Sequence, residues 1–93
     1  MKKIKFKIFI NGSNNKNKKF SQNVHQYLAK EFGNNFEFEE VDVIKHPETA
    51  EQYKIIAIPT ILDLTQEPPV RFIGDFYNSE RLKELLEFYS LNY

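Results

Sequence analysis

The sequence predicts an α/β fold with a four-stranded mixed sheet, and three observations lead there. Segments with a two-residue apolar period alternate along the chain with segments of helical period. Their order reads strand, helix, strand, helix, strand, strand, helix. With 93 residues the chain has room for one such set, which makes 1–93 a single domain.

Ile4, Phe6, Ile8 and Ile10 alternate with Lys5, Lys7 and Phe9, the mark of a strand with one strongly apolar face. Asn11 to Asn17 (NGSNNKN) collects turn and cap residues and reads as a solvated loop. From about Lys18 the period changes. Phe20, Val24, Tyr27, Leu28 and Phe32 follow i, i+4, i+7, i+8, i+12, an amphipathic stripe, and Gly33 stands where a C′ glycine ends a helix. Phe36 to Ile44 (FEFEEVDVI) reads as the second strand. Phe36 and Phe38 share one parity while Val41 and Val43 share the other, which predicts a bulge around Glu39–Glu40. A helix crossing between two strands makes them a parallel pair.

Pro47 suits the first turn of a short helix over Glu48–Lys54. Ile55 to Leu64 (IIAIPTILDL) is dense in β-branched residues. Pro59 cannot donate a ladder hydrogen bond, so the third strand begins at or after it. Thr65 to Pro69 (TQEPP) is a turn, and Val70–Ile73 a fourth strand stopped by Gly74–Asp75. Asn78 caps a last helix, striped by Leu82, Leu85, Leu86 and Tyr89. A βαβ unit, a helix, a hairpin and a closing helix make up the thioredoxin architecture. In it the X–Pro bond before the third strand is cis, which places a cis bond at Ile58–Pro59.

Composition narrows the function. Apolar residues reach 41% and aromatics 15%, enough to fill a core. Thirteen basic residues balance thirteen acidic ones, without the basic excess of nucleic-acid binders. A net charge near zero permits oligomers. The chain contains no Cys, which removes disulfides, thiolate metal sites and redox dithiols together. No apolar run approaches the ~20 residues that span a bilayer. Lysines interrupt the N-terminal stretch too often for a signal peptide, so a cytoplasmic protein is expected.

Two longer stretches carry a resemblance. Val41 to Thr60 (VDVIKHPETAEQYKIIAIPT) ends a strand in Asp-Val, starts a helix at Lys-x-Pro and runs from Lys-Ile to a Pro-Thr pair. Glu67 to Asp75 (EPPVRFIGD) joins a Pro-rich turn, a Val-Arg segment and Gly-Asp. The first strand with Gly12 and the helix ending Lys30–Glu31–Phe32 fall in line with both. In this order and spacing the chain resembles the KaiB family over almost its whole length. It departs from the family pattern in the Asn/Lys-rich Ser13–Lys18 and in Gln66 and Glu67, which replace part of the proline run.

The resemblance implies a non-enzymatic protein-binding module that docks on the KaiC-type hexameric ATPase and regulates its clock output. It implies a thioredoxin-like bound form and a resting homo-oligomer, dimer or tetramer, with a different ground-state topology in the C-terminal half. It assigns binding to basic positions that correspond to Lys19, Lys54 and Arg71. Three other readings stay open: a KaiB-like sensory or stress-response module outside a clock, a degenerate, redox-inactive thioredoxin relative, and a structural oligomer whose resting tetramer is the active form.

Where thioredoxins carry their cysteines, Asn14 to Lys18 offers no nucleophile. His25 and His46 lack a third ligand and read as surface residues, so no metal and no cofactor is expected. Glu37, Glu39, Glu40 and Asp42 alternate with Phe and Val as a solvated strand face does. Asp42 is the exception, since it stands at the strand end where thioredoxin-like proteins meet partners. Lys3, Lys5 and Lys7 face away from Ile4, Phe6 and Ile8, with stems over apolar surface and heads in water. Pro59, Pro68 and Pro69 are turn formers by default; as cis-proline switches they would gate a slow rearrangement, and proline count does not distinguish the two. Lys19, Lys54 and Arg71 read as ordinary solvated charges by themselves; the resemblance, with the strand-end place of Asp42, implies partner binding through Lys19, Asp42, Lys54 and Arg71, at the first helix start, the second strand end and the second helix.

Overall fold

The strands lie in the order β2-β1-β3-β4. β1 (Ile4–Ile10) runs parallel to β2 (Phe36–Asp42) and antiparallel to β3 (Thr60–Asp63), and β3 pairs antiparallel with β4 (Val70–Ile73). Two helices complete the order, α1 (Asn15–Phe32) between β1 and β2 and α2 (Pro47–Gln52) between β2 and β3. The arrangement is thioredoxin-like. The computed structural model describes residues 3–73 together with Glu80, Lys83, Glu84 and Glu87. Those last four are helical, with an i,i+4 ion pair between Lys83 and Glu87 at 4.0 Å. Gly74, Asp75, Asn78 and the Leu82, Leu85, Leu86, Tyr89 stripe lie outside the described residues.

Strand alternation decides which helix each side chain meets. Ile4, Phe6, Ile8 and Ile10 point to α1 and close with Phe20, Val24, Leu28 and Ile61 into the larger core. Phe9, Val41 and Leu62 point the other way, toward Ala50 of α2 and Tyr53, Ile55 and Leu64. Each buried Ile, Leu or Phe contributes about 1.5–3 kcal/mol relative to exposure. The eight residues of the larger cluster therefore dominate stability.

Three boundaries differ from the sequence expectation. α1 starts at Asn15, not Lys18, because the Asn14 side chain accepts the Asn17 N–H at 3.1 Å and supplies the N-cap. Asn17, assigned to a solvated loop, is 4% exposed, and its Oδ1 accepts the Asn11 N–H at 2.9 Å. β2 carries no bulge. Its register with β1 runs unbroken from Ile4↔Phe36 to Ile10↔Asp42. Phe36 and Phe38 serve the α1 face while Val41 serves the α2 face, so the parity change reflects a sheet covered on both sides. β2 stops at Asp42, not Ile44, where the Asp42 carboxylate accepts the Ile44 N–H at 3.0 Å and bends the chain.

Gly33 ends α1 at φ +60, the left-handed region glycine enters without steric cost, and donates its N–H to Ala29 O. α2 is shorter than expected, ending at Gln52. Pro59 is buried at the entrance of β3, where Ile58–Pro59 is cis as the element order predicts; Glu67–Pro68 is cis as well. Pro68 and Pro69 are exposed in the turn before β4.

Candidate functional site

Two junctions gather the chemistry-bearing residues. The first lies at the C-terminal ends of β1 and β2. Asp42 accepts the backbone N–H groups of Gly12, Ile44 and Lys45, tying the loop after β1 to the loop after β2. These bonds, the Gly12 one above all, favour the carboxylate and lower the Asp42 pKa from its ordinary value against partial desolvation, with the Lys45 charge assisting. Gly12 leaves room for the carboxylate, since a Cβ at its position would fall 2.1 Å from Asp42 Oδ2 and displace it. Lys19 is exposed on α1, one turn beyond the Asn14 cap at the same end of the sheet.

The second junction joins the end of α2 to β4. Ile55 N–H donates to Ala50 O at 2.9 Å and Lys54 N–H to Glu51 O at 3.0 Å, the paired bonds of a Schellman motif. The C′ position of that motif favours glycine, yet it is Lys54, at φ 55. Arg71 braces it. Its Nη1 donates to Lys54 O at 3.3 Å and its Nη2 to Tyr53 O. The structure thus brings Lys54 and Arg71 together, places Asp42 in the other junction, and leaves Lys19 on the α1 surface. Sequence gave no signal for the bracing, since Lys is not an αL residue and the Arg71 partners are backbone carbonyls. The Gly12–Asp42 contact was equally silent.

On the sheet face beside α2, an open cleft of about 460 Å³ is lined by Lys5, Lys7, Glu37, Glu39 and Leu64. Its charges pair across β1 and β2, Lys5 with Glu37 at 3.9 Å and Lys7 with Glu39. Lys7 Nζ also stands 5.7 Å from the Tyr53 ring centroid. The cleft is therefore internally neutralised. His25 is exposed and packs edge-on against Phe36 and Phe38, with centroids 5.7 and 5.2 Å away. Ser21 donates its hydroxyl to Glu40. Among the described residues no group of three or more His, Cys, Asp or Glu could hold a metal ion, and no helix is long and apolar enough to cross a membrane.

Comparison with known proteins adds the following. The family model described as KaiB domain matches residues 7–88. The circadian clock protein KaiB3 of Synechocystis is 28% identical over 82 residues, covering 88% of this chain and 80% of its own. Among solved structures, the N-terminal domain of Synechococcus elongatus SasA superposes with a TM-score of 0.70 at 15% identity, over 91% of this chain and 81% of that one. Plasmodium falciparum thioredoxin superposes with a TM-score of 0.73 at 21% identity, over 96% and 84%. The two structural likenesses speak for the fold alone.

Proposed function

Because the chain belongs to the KaiB family, we propose that it is a non-enzymatic, single-domain module that docks on a KaiC-type hexameric ATPase and regulates its clock output. The observation that carries the reading is a thioredoxin-like scaffold with 0 Cys in the chain. A thiolate is the reagent of that fold's redox chemistry. In its place after β1 stand Asn11, Asn14 and Asn17, whose side chains are occupied in local hydrogen bonds. A scaffold so equipped has its surface to offer. KaiB3, named as a circadian clock protein, supports the clock assignment.

Docking uses Lys19, Asp42, Lys54 and Arg71, at the α1 start, the β2 end and the α2 end. Lys19 and Lys54 present exposed charge to the ATPase. Asp42 and Arg71 act as positioning residues, because their polar atoms hold backbone groups of the two junctions. The module works in the cytoplasm, where that ATPase would be met. The test is size-exclusion chromatography of the purified chain with a KaiC-type hexameric ATPase, phosphorylated and dephosphorylated. Co-elution with the hexamer in at least one state is expected. Separate elution in both states would remove the reading, as would turnover in an insulin-reduction or glutathione assay.

A further inference from the structure

Of the asparagines in the chain, Asn11 alone precedes a glycine. An asparagine carboxamide is a latent electrophile, which makes the residue thermolabile. The amide nitrogen of the next residue attacks Cγ: a C–N bond forms, the N–H proton passes to solvent base, and the side-chain nitrogen leaves as ammonia. The succinimide then takes up one water at either carbonyl and opens to aspartate or isoaspartate. A glycine in the second position puts no Cβ in the way and lets the backbone swing its nitrogen onto Cγ. Every other asparagine here is followed by a residue with a Cβ, which crowds the same ring closure.

The fold supplies part of this chemistry. Asn11 Oδ1, the atom on which negative charge develops during attack, accepts the Ser13 N–H at 2.9 Å. A backbone donor held at a developing oxyanion lowers the barrier. Asn11 and Gly12 are half-buried and Ser13 is exposed, so water reaches the site.

The nucleophile is what the fold withholds. Gly12 donates its N–H to the Asp42 carboxylate, whose Oδ2 lies so near that a Cβ on Gly12 would fall 2.1 Å from it. To attack, the Gly12 nitrogen must leave that acceptor and lose its proton beside a carboxylate. Breaking the bond costs free energy, and a neighbouring anion disfavours forming a second one. The flanking backbone is pinned as well. Asn11 N–H donates to buried Asn17 at 2.9 Å, Asn11 O accepts the Asn14 N–H at 3.0 Å, and Ile10 O accepts the Val43 N–H at 2.9 Å.

We propose that Asn11–Gly12 is this chain's site of spontaneous deamidation, and that the Asp42 carboxylate guards it by holding the Gly12 N–H. Site and guard are coupled. Either product sets a new carboxylate beside the one that holds Gly12, and isoaspartate also lengthens the main chain by one methylene, so conversion opposes the tie between the two loops. The proposal goes beyond the ATPase reading: it gives Asp42 a task within the chain itself, and its test contains no ATPase.

Peptide mapping by mass spectrometry follows the conversion in the full chain, held in mildly alkaline buffer either folded or denatured in guanidinium chloride. Folded wild type is expected to convert Asn11 at least tenfold more slowly than the denatured chain. Asp42→Asn keeps an acceptor oxygen and removes the charge, while Asp42→Ala removes both. The folded rate at Asn11 is expected to rise at least threefold in the first variant and further in the second. Hydrogen exchange at the Val24 and Leu28 amides, in the larger core, reports how far each variant loosens the whole fold. The rise at Asn11 is expected to exceed the rise in that exchange at least threefold. Equal rises would make Asp42 a general stabiliser with no guarding role and would overturn the proposal. An unchanged rate at Asn11 in both variants, a folded wild type as fast as the denatured chain, or another asparagine converting ahead of Asn11 in denaturant would each overturn it too.

Discussion

The two faces of the sheet are built on different terms. On one side α1, 18 residues long, lies along strands of 7 residues. At 1.5 Å per helical residue and 3.3 Å per strand residue, helix and strand both run roughly 25 Å, so α1 covers β1 and β2 along their length. Ile4, Phe6, Ile8 and Ile10 are each 2% exposed or less. On the other side α2 has 6 residues, none of them buried, and spans roughly a third of the strand length. There Phe9, Val41 and Leu62 form a small cluster, and Lys5, Lys7, Glu37 and Glu39 stand on the uncovered remainder. One face holds the fold; the other holds charges and a braced helix end.

That division predicts unequal costs for equal chemistry. Ile8→Ala on the α1 face removes fully buried atoms from a surrounded site and is expected to cost about 2–5 kcal/mol in urea unfolding. Ile55→Ala on the α2 face deletes the same atoms from a half-buried site and is expected to cost about 1 kcal/mol. Equal losses would break the comparison, since the α2 face would then be packed as tightly as the other.

The next effect sits where the faces meet, at the C-terminal strand ends. Gly12→Ala places a methyl 2.1 Å from Asp42 Oδ2, and the displaced carboxylate gives up its backbone donors. The expected outcome is a lower unfolding midpoint, because the methyl overpacks the junction and the carboxylate must move. Thermal unfolding of Gly12→Ala against wild type measures it, and an unchanged midpoint would show that the two loops are not tied there.

Asp42→Asn is gentler, because the amide keeps one acceptor oxygen, and its signature is pH dependence. The folded chain lowers the Asp42 pKa, so the stability from its charge is present above the ordinary carboxylate range and fades as pH falls through the lowered value. Wild type should exceed Asp42→Asn near neutrality, with the gap closing in strongly acid solution. A gap of constant size from neutral to acid pH would mean that the charge contributes nothing to tying the loops.

Much of this was legible in the sequence, for reasons particular to each region. The strict alternation of Ile4 to Ile10 and the helical stripe through Phe20, Val24 and Leu28 record one thick apolar core, and periodicity reports such cores directly. Val70–Ile73 and the entrance of β3 after Pro59 were set by turn chemistry and the missing proline donor. β2 misled because a strand covered on both faces has apolar residues of both parities, which in a linear text looks like a slip. Candidate site residues were visible as types and invisible as roles. Arg71 and Asp42 bind backbone groups, and a backbone carbonyl or N–H leaves no letter in the sequence.

The smallest expected effect tests the wetness of the α2 face. Lys7 pairs with Glu39 across β1 and β2, with 18% of the Lys7 side chain and 60% of the Glu39 side chain exposed. Lys7 Nζ stands over the Tyr53 ring, which itself meets Phe9 at a centroid distance of 5.8 Å, so Lys7→Met keeps an unbranched side chain there and removes the charge. A double-mutant cycle with Glu39→Gln should give a coupling of about 0.2–1 kcal/mol, since water still reaches the carboxylate. Salt should shrink that coupling further, because the pair is partly open to screening ions. A coupling above about 2 kcal/mol that resists salt would place the pair in a dry environment. The α2 face would then be a second core with charges in it, and the contrast with the α1 face would have to be redrawn around burial instead of exposure.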